Sequence, residues 1–120
     1  MQPTILTYNL GIKQLSFELL CANFNVVIRN ILPEEQSFTI NSILENNFYK
    51  KDFNPNIFYD EMIVFCYFEN KFLDLFLQQM RNMNIKISLK AVLTPTNCYW
   101  NSIDLHQELS KEYKSFNKTK

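Results

Sequence analysis

Glycine occurs once in the 120 residues, at Gly11. A loop that cradles phosphate needs several glycines in a short span, so neither a P-loop nor a G-x-G-x-x-G dinucleotide fingerprint can be built here. Histidine also occurs once, at His106. A zinc site draws three or four ligands from His, Cys and carboxylates, and no such spacing surrounds this imidazole. The three cysteines, Cys21, Cys66 and Cys98, are odd in number and far apart. That excludes a C-x-x-C motif and speaks against a secreted disulfide framework. No metal and no cofactor are expected, and a reducing cytoplasm is the expected location.

A surplus of either charge is missing as well, because 12 basic and 12 acidic residues cancel. Proteins that grip nucleic-acid backbones carry a basic surplus, so no nucleic-acid partner is expected. The longest apolar run, residues 62–68, is far shorter than the ~20 residues of a membrane-spanning helix. The first ten residues lack a basic leader and read as a strand, not a signal peptide. No membrane partner is expected.

What the chain does have is apolar and aromatic mass: 47% hydrophobic and 15% aromatic residues. A domain of this size buries roughly two-thirds of its unfolded surface, so a single domain over residues 1–120 can hold together without a staple. The bias toward Asn, Lys, Ile, Phe and Tyr, whose codons are A/T-rich, points to a low-GC bacterial source.

Periodicity places the elements. Residues 4–10 and 26–31 read as strands, the second stopped by Pro33. Between them, Ile12, Leu15, Leu19 and Ala22, with Leu20 and Phe24 beside them, recur at helical spacing and predict a helix over 12–24. A short helix is predicted over 37–45. Residues 61–68 are continuously apolar, which suits a central strand. The stripe Phe72, Leu73, Phe76, Leu77, Met80 and Met83 predicts a helix over 70–82. Residues 85–93 start with strict alternation (Ile85, Ile87, Leu89 against Lys86, Ser88, Lys90) and predict a strand at an edge. Asn101, with Asp104 three residues on, is placed to cap a last helix whose stripe is Leu105, Leu109, Tyr113 and Phe116.

The two halves share an order: strand, helix, strand, proline-broken loop, helix. Asn41-Ser42-Ile43 returns as Asn101-Ser102-Ile103, and Ile5-Leu6-Thr7-Tyr8 matches Ile63-Val64-Phe65-Cys66, at offsets of about sixty residues. Pseudo-repeats at 4–45 and 61–116, joined by a connector at 46–60, are expected. The fold class is α/β (α+β): two βαβα halves forming one four-stranded sheet. The first and third strands are expected at its centre, and the extra helices at its ends. A ferredoxin-like order is preferred, with a small doubly wound sheet as the alternative.

Candidate site residues concentrate in the loop before the last helix. Thr94, Thr96, Asn97 and Trp100 put hydroxyls, an amide and an indole beside a helix start, where a polar ligand can be held. The same residues also serve to close turns and anchor a loop. Cys98 lies in that loop and is the one thiol expected to be accessible, whereas Cys21 and Cys66 read as buried. His106 reads as a boundary histidine, and no catalytic set has a spacing that selects it. The connector carries Phe48, Tyr49, Phe53, Phe58 and Tyr59, which either cover a sheet face or present a self-association surface.

The run Lys90-Ala91-Val92-Leu93-Thr94-Pro95-Thr96-Asn97, then Trp100, resembles the signature of an uncharacterised domain-of-unknown-function family found largely in Clostridia and relatives. Residues 62–68, the helix after them and Leu105-His106-Gln107-Glu108-Leu109 are similar to it too. That family tends to have glycine after the central strand's cysteine, where this chain has Tyr67. The resemblance implies membership and no reaction. The reading is therefore a non-catalytic small-molecule-binding or protein-interaction domain using the 94–100 loop. The alternatives are a thiol-dependent enzyme or redox protein centred on Cys98, and a homodimer formed through the aromatic connector.

Overall fold

The computed structural model describes residues 1–47 and 55–118. One open sheet of four strands, β1 (Thr4–Tyr8), β2 (Val27–Asn30), β3 (Met62–Cys66) and β4 (Leu89–Val92), carries α1 (Gln14–Asn23) and α3 (Asn70–Asn82), with α2 (Ile40–Leu44) and α4 (Ser102–Lys118). The strand order is β2-β1-β3-β4. β1 and β3 form the centre as expected, paired antiparallel from Thr4↔Cys66 to Tyr8↔Met62. β2 runs parallel to β1, and β4 parallel to β3.

This order differs from the preferred ferredoxin-like one. That arrangement splits each β-α-β unit around a strand of the other. Here each parallel pair is adjacent, so within the sheet the two units join along β1 and β3. The sheet is also not doubly wound in the parallel sense, because its central pair is antiparallel. Each crossover is a short helix that packs back beside its own strand, and nothing is inserted between.

Two crossovers of the same hand, related by a twofold normal to the sheet, put their helices on one face. There Ile5, Ile63 and Phe65 meet Phe17, Leu20, Phe76 and Met80. Ring pairs Phe17–Phe76, Phe24–Phe72 and Phe24–Phe76 join α1 to α3 side by side and antiparallel. The extra helices were expected at the sheet's ends. Instead they cover its second face, where Leu6, Tyr8, Met62, Val64, Cys66, Leu89 and Ala91 pack on Ile40, Ile43, Ile103 and Leu105. A sheet whose centre is apolar on both faces needs both covered. All of β3 is buried, and each such side chain contributes ~1.5–3 kcal/mol over leaving it exposed.

Two local readings change. The stripe Ile12, Leu15, Leu19, Ala22 points outward, with Ile12 98% and Leu15 66% exposed. The core face of α1 is instead Phe17, Leu20 and Cys21. The helix is apolar on both sides, so periodicity alone does not select the inward one. The strand expected over 85–93 forms only at Leu89–Val92. Ile87 packs on the α1/α3 side and Leu89 on the other, so the alternation does not continue through Ser88.

The shortage of glycine is met by asparagine. Among the described residues, four of the five non-glycine residues at positive φ are Asn9, Asn25, Asn46 and Asn84. Asparagine tolerates the left-handed region better than other side chains. Asn25, Asn46 and Asn84 each end a helix. The next amide reaches back five residues, as in Val26 N–H to Cys21 O at 2.9 Å and Ile85 N–H to Met80 O at 2.9 Å. The fifth is Tyr67 at φ 64°. The tight turn after β3 exists, with tyrosine held where glycine is favoured.

Candidate functional site

β4 ends where Pro95 cannot supply a ladder donor. Leu93 N–H still donates to Phe65 O at 2.9 Å. The chain then turns through a 3-10 turn, Asn97–Tyr99, into α4. Asn97 is buried and braces this corner. Its Oδ1 accepts from Thr94 N–H at 2.8 Å, its Nδ2 donates to Val92 O at 3.0 Å, and its own N–H donates to Thr94 Oγ1 at 2.9 Å. The amide of Asn97 is therefore spent inside the loop.

Alternate residues of a strand turn their backbone groups to opposite neighbours. Leu93 faces β3, so Lys90 and Val92 face the open margin of the sheet. Asn97 closes the Val92 carbonyl and leaves the backbone of Lys90 and the Val92 N–H along that margin. Beside them runs a groove of about 330 Å³. One wall is Thr94, Thr96, Asn97 and Trp100, and the other is Leu105, Glu108, Leu109 and Glu112 of α4. All four residues singled out from the sequence thus line one groove. Thr94 and Thr96 are exposed, and Trp100 is half-buried against the second-face core. Across the corner lies a second groove of about 370 Å³, containing Asn41, Tyr67, Phe68, Pro95 and Cys98 and bearing no charged residue. Burial raises the Tyr67 phenol above its ordinary value.

Cys98 is partly exposed, with Sγ 3.5 Å from Pro95 O. His106 is engaged elsewhere. Its Nε2 lies 2.8 Å from Asp60 Oδ2, and its ring stacks on Phe58 at 4.1 Å between centroids. Cys98 and His106 are not brought together. Ser110 Oγ is 3.4 Å from the same Nε2 that meets Asp60. A nucleophile relay puts hydroxyl and carboxylate on different ring nitrogens, so this trio is not one. Cys21 and Cys66 are buried, and desolvation pushes both thiols up to about 12, with Glu18 adding to the rise at Cys21. No group of three or more potential metal ligands occurs among the described residues.

Of the connector aromatics, Phe48, Tyr49 and Phe53 lie outside the described residues. Phe58 is buried on Tyr8 and His106, while Tyr59 is 79% exposed. Sequence reasoning missed the buried polar frame beneath. Gln36 is fully buried and pairs with both backbone groups of Phe58, at 3.1 and 3.0 Å. Tyr8 Oη and Ser102 Oγ meet at 2.7 Å, and burial raises the Tyr8 phenol despite that bond. These partners lie 22 and 94 residues apart in sequence, and no local signal marks them.

The fold is a mixed four-stranded sheet covered by helices on both faces, and its candidate site is the corner that follows β4. Residues 61–116, spanning β3, α3, β4 and most of α4, match the family DUF3783, a domain of unknown function. Neither a curated protein nor a solved structure matches the chain. Among the described residues, no helix is long and apolar enough to cross a membrane.

Proposed function

We propose that this is a non-catalytic protein-interaction domain that takes an extended basic peptide along the margin of β4. The observation that carries the reading is the groove between β4 and α4, onto which Thr94, Thr96, Asn97 and Trp100 all converge. An extended segment adds to a sheet margin by main-chain hydrogen bonds, and pockets for its alternate side chains supply selectivity. Lys90 and Val92 offer backbone groups for the first. Trp100, Leu105 and Leu109 offer an apolar pocket for the second. Glu108 and Glu112, one helical turn apart on the facing wall, favour lysine or arginine in the incoming chain.

The test is fluorescence polarisation with a labelled peptide alternating Arg and Val. Binding is expected, weakened at least about tenfold by Glu108→Lys/Glu112→Lys, in the range of charge-pair losses at interfaces. Methylation of the peptide's backbone amides should weaken it as well. Binding that ignores the α4 double variant, or no binding, refutes the reading. A thermal-shift hit among uncharged metabolites that Tyr67→Ala removes would favour a small-molecule site in the second groove instead.

A further inference from the structure

The margin of β4 carries opposite charge on its two sides. On the second sheet face, the groove against α4 holds Glu108 and Glu112. On the α1/α3 face, another groove of about 270 Å³ flanks the start of the same margin. Its charged lining is Arg81, Lys86 and Lys90, all exposed, and it contains no carboxylate. Leu89 and Ala91 pack in the second-face core, so alternation turns the Lys90 and Val92 side chains to the α1/α3 face. Lys90 Nζ donates to Ile87 O at 2.7 Å, which pins its charge beside this groove. Further along that face, beside Val92, lies the groove of Tyr67 and Phe68, which has no charged lining. Neither the two glutamates nor the three basic groups form an ion pair among the described residues.

We infer that the β4 margin selects a strand of alternating charge, with basic residues toward α4, an acidic residue opposite Lys90 and an apolar residue opposite Val92. This deepens, and rests on, the reading of β4 as a peptide-docking margin. Side chains directly opposite one another in paired strands share a sheet face. A residue paired with Lys90 therefore enters the groove lined by Arg81 and Lys86. The residues on either side of it point the other way, to Glu108 and Glu112. Complementary charge on both faces fixes the register of the added strand and rejects chains of a single sign. It also rejects a second copy of this chain. Antiparallel pairing of β4 with its own copy keeps like faces together, so basic groups meet basic groups and glutamates meet glutamates.

The test is fluorescence polarisation on the full chain with three labelled heptapeptides, Arg-Val-Arg-X-Arg-Val-Arg, in which X is Glu, Gln or Lys. Their side-chain order is the same in both directions, so either alignment on β4 can set the arginines toward α4. The Glu peptide should bind tightest and the Lys peptide weakest, with about fivefold between Glu and Gln. Attraction to the acidic wall alone gives the reverse order, because the Lys peptide carries the largest positive charge. Arg81→Glu/Lys86→Glu changes two exposed side chains that lie off β4. In that variant the order should invert at an unchanged melting temperature. Tightest binding by the Lys peptide to the native chain, or no difference among the three, overturns the inference and leaves β4 as a margin for basic chains. A Glu preference that survives the double variant also overturns it, by placing the acid's partner elsewhere. If no heptapeptide binds, the docking reading itself fails and the inference falls with it.

Discussion

Helices α1 and α3 hold matching places, each the crossover of a parallel strand pair, side by side on one sheet face. Their inner faces are alike: Phe17 and Leu20 on one, Phe76 and Met80 on the other, all buried. Their outer faces are opposite. α3 turns Lys71, Asp74, Gln78 and Arg81 to water around a single half-exposed Leu75, while α1 turns out Leu15 and Leu19. The core selects only about one face of a helix. The other face is free of that constraint, so an apolar choice there calls for its own explanation.

The largest expected effect lies in the aromatic layer between the two helices. Phe76 meets the rings of Phe17, Phe24, Phe65 and Phe68. Phe76→Ala should lower unfolding free energy by about 3–5 kcal/mol. Phe17→Ala should fall at the lower end of that range, as measured by urea denaturation. Equal and small losses would mean that the shared aromatic layer does not tie the helices together.

Alkaline titration probes both sheet faces through one thiol each, Cys21 in the α1/α3 layer and Cys66 on the second face. Cys21 and Cys66 have folded values pushed up to about 12 from about 9. Below pH 9 both states hold the proton, and the contribution to stability is intact. Between 9 and 12 only the unfolded chain releases it, so stability falls as pH rises. The melting temperature should be flat to about pH 9 and then decline. Cys21→Ala and Cys66→Ala should each soften that decline. In native buffer near pH 8 a thiol reagent should modify Cys98 alone, and after denaturation all three cysteines.

The helix caps on the second sheet face contribute about 1 kcal/mol each. Asn101 Oδ1 accepts from Asp104 N–H at 2.8 Å, and Thr39 Oγ1 from Ser42 N–H at 3.2 Å. The two capping residues also bridge each other. Asn101→Ala and Thr39→Ala should therefore cost less together than separately summed, in a double-mutant cycle. The smallest effect belongs to the outer faces. Leu15→Ser and Lys71→Ser should each leave monomer stability within about 0.5 kcal/mol.

Much of this architecture was legible. β3 as a central strand follows from an unbroken apolar run, and α3, Asn70–Asn82, from a stripe with a polar opposite face. Asn101 as a cap follows from side-chain chemistry three residues from its target. The corner at Thr94 was legible as a corner. That Asn97 spends its amide on Val92 and Thr94 was not, because the geometry of a folded turn decides which groups come within 3 Å.

The chain by itself determined where its elements lie and which were apolar enough for the interior, since period and turn chemistry act over a few residues. It also determined that asparagine would stand in for glycine at the turns, because short amide side chains tolerate positive φ. Only the tertiary structure decided the order β2-β1-β3-β4, the placement of α2 and α4 over the second face, and which of two apolar sides of α1 faces inward. It also decided the pairings of Gln36 with Phe58 and Tyr8 with Ser102. Those choices depend on contacts between residues tens of positions apart, for which local propensity holds no information.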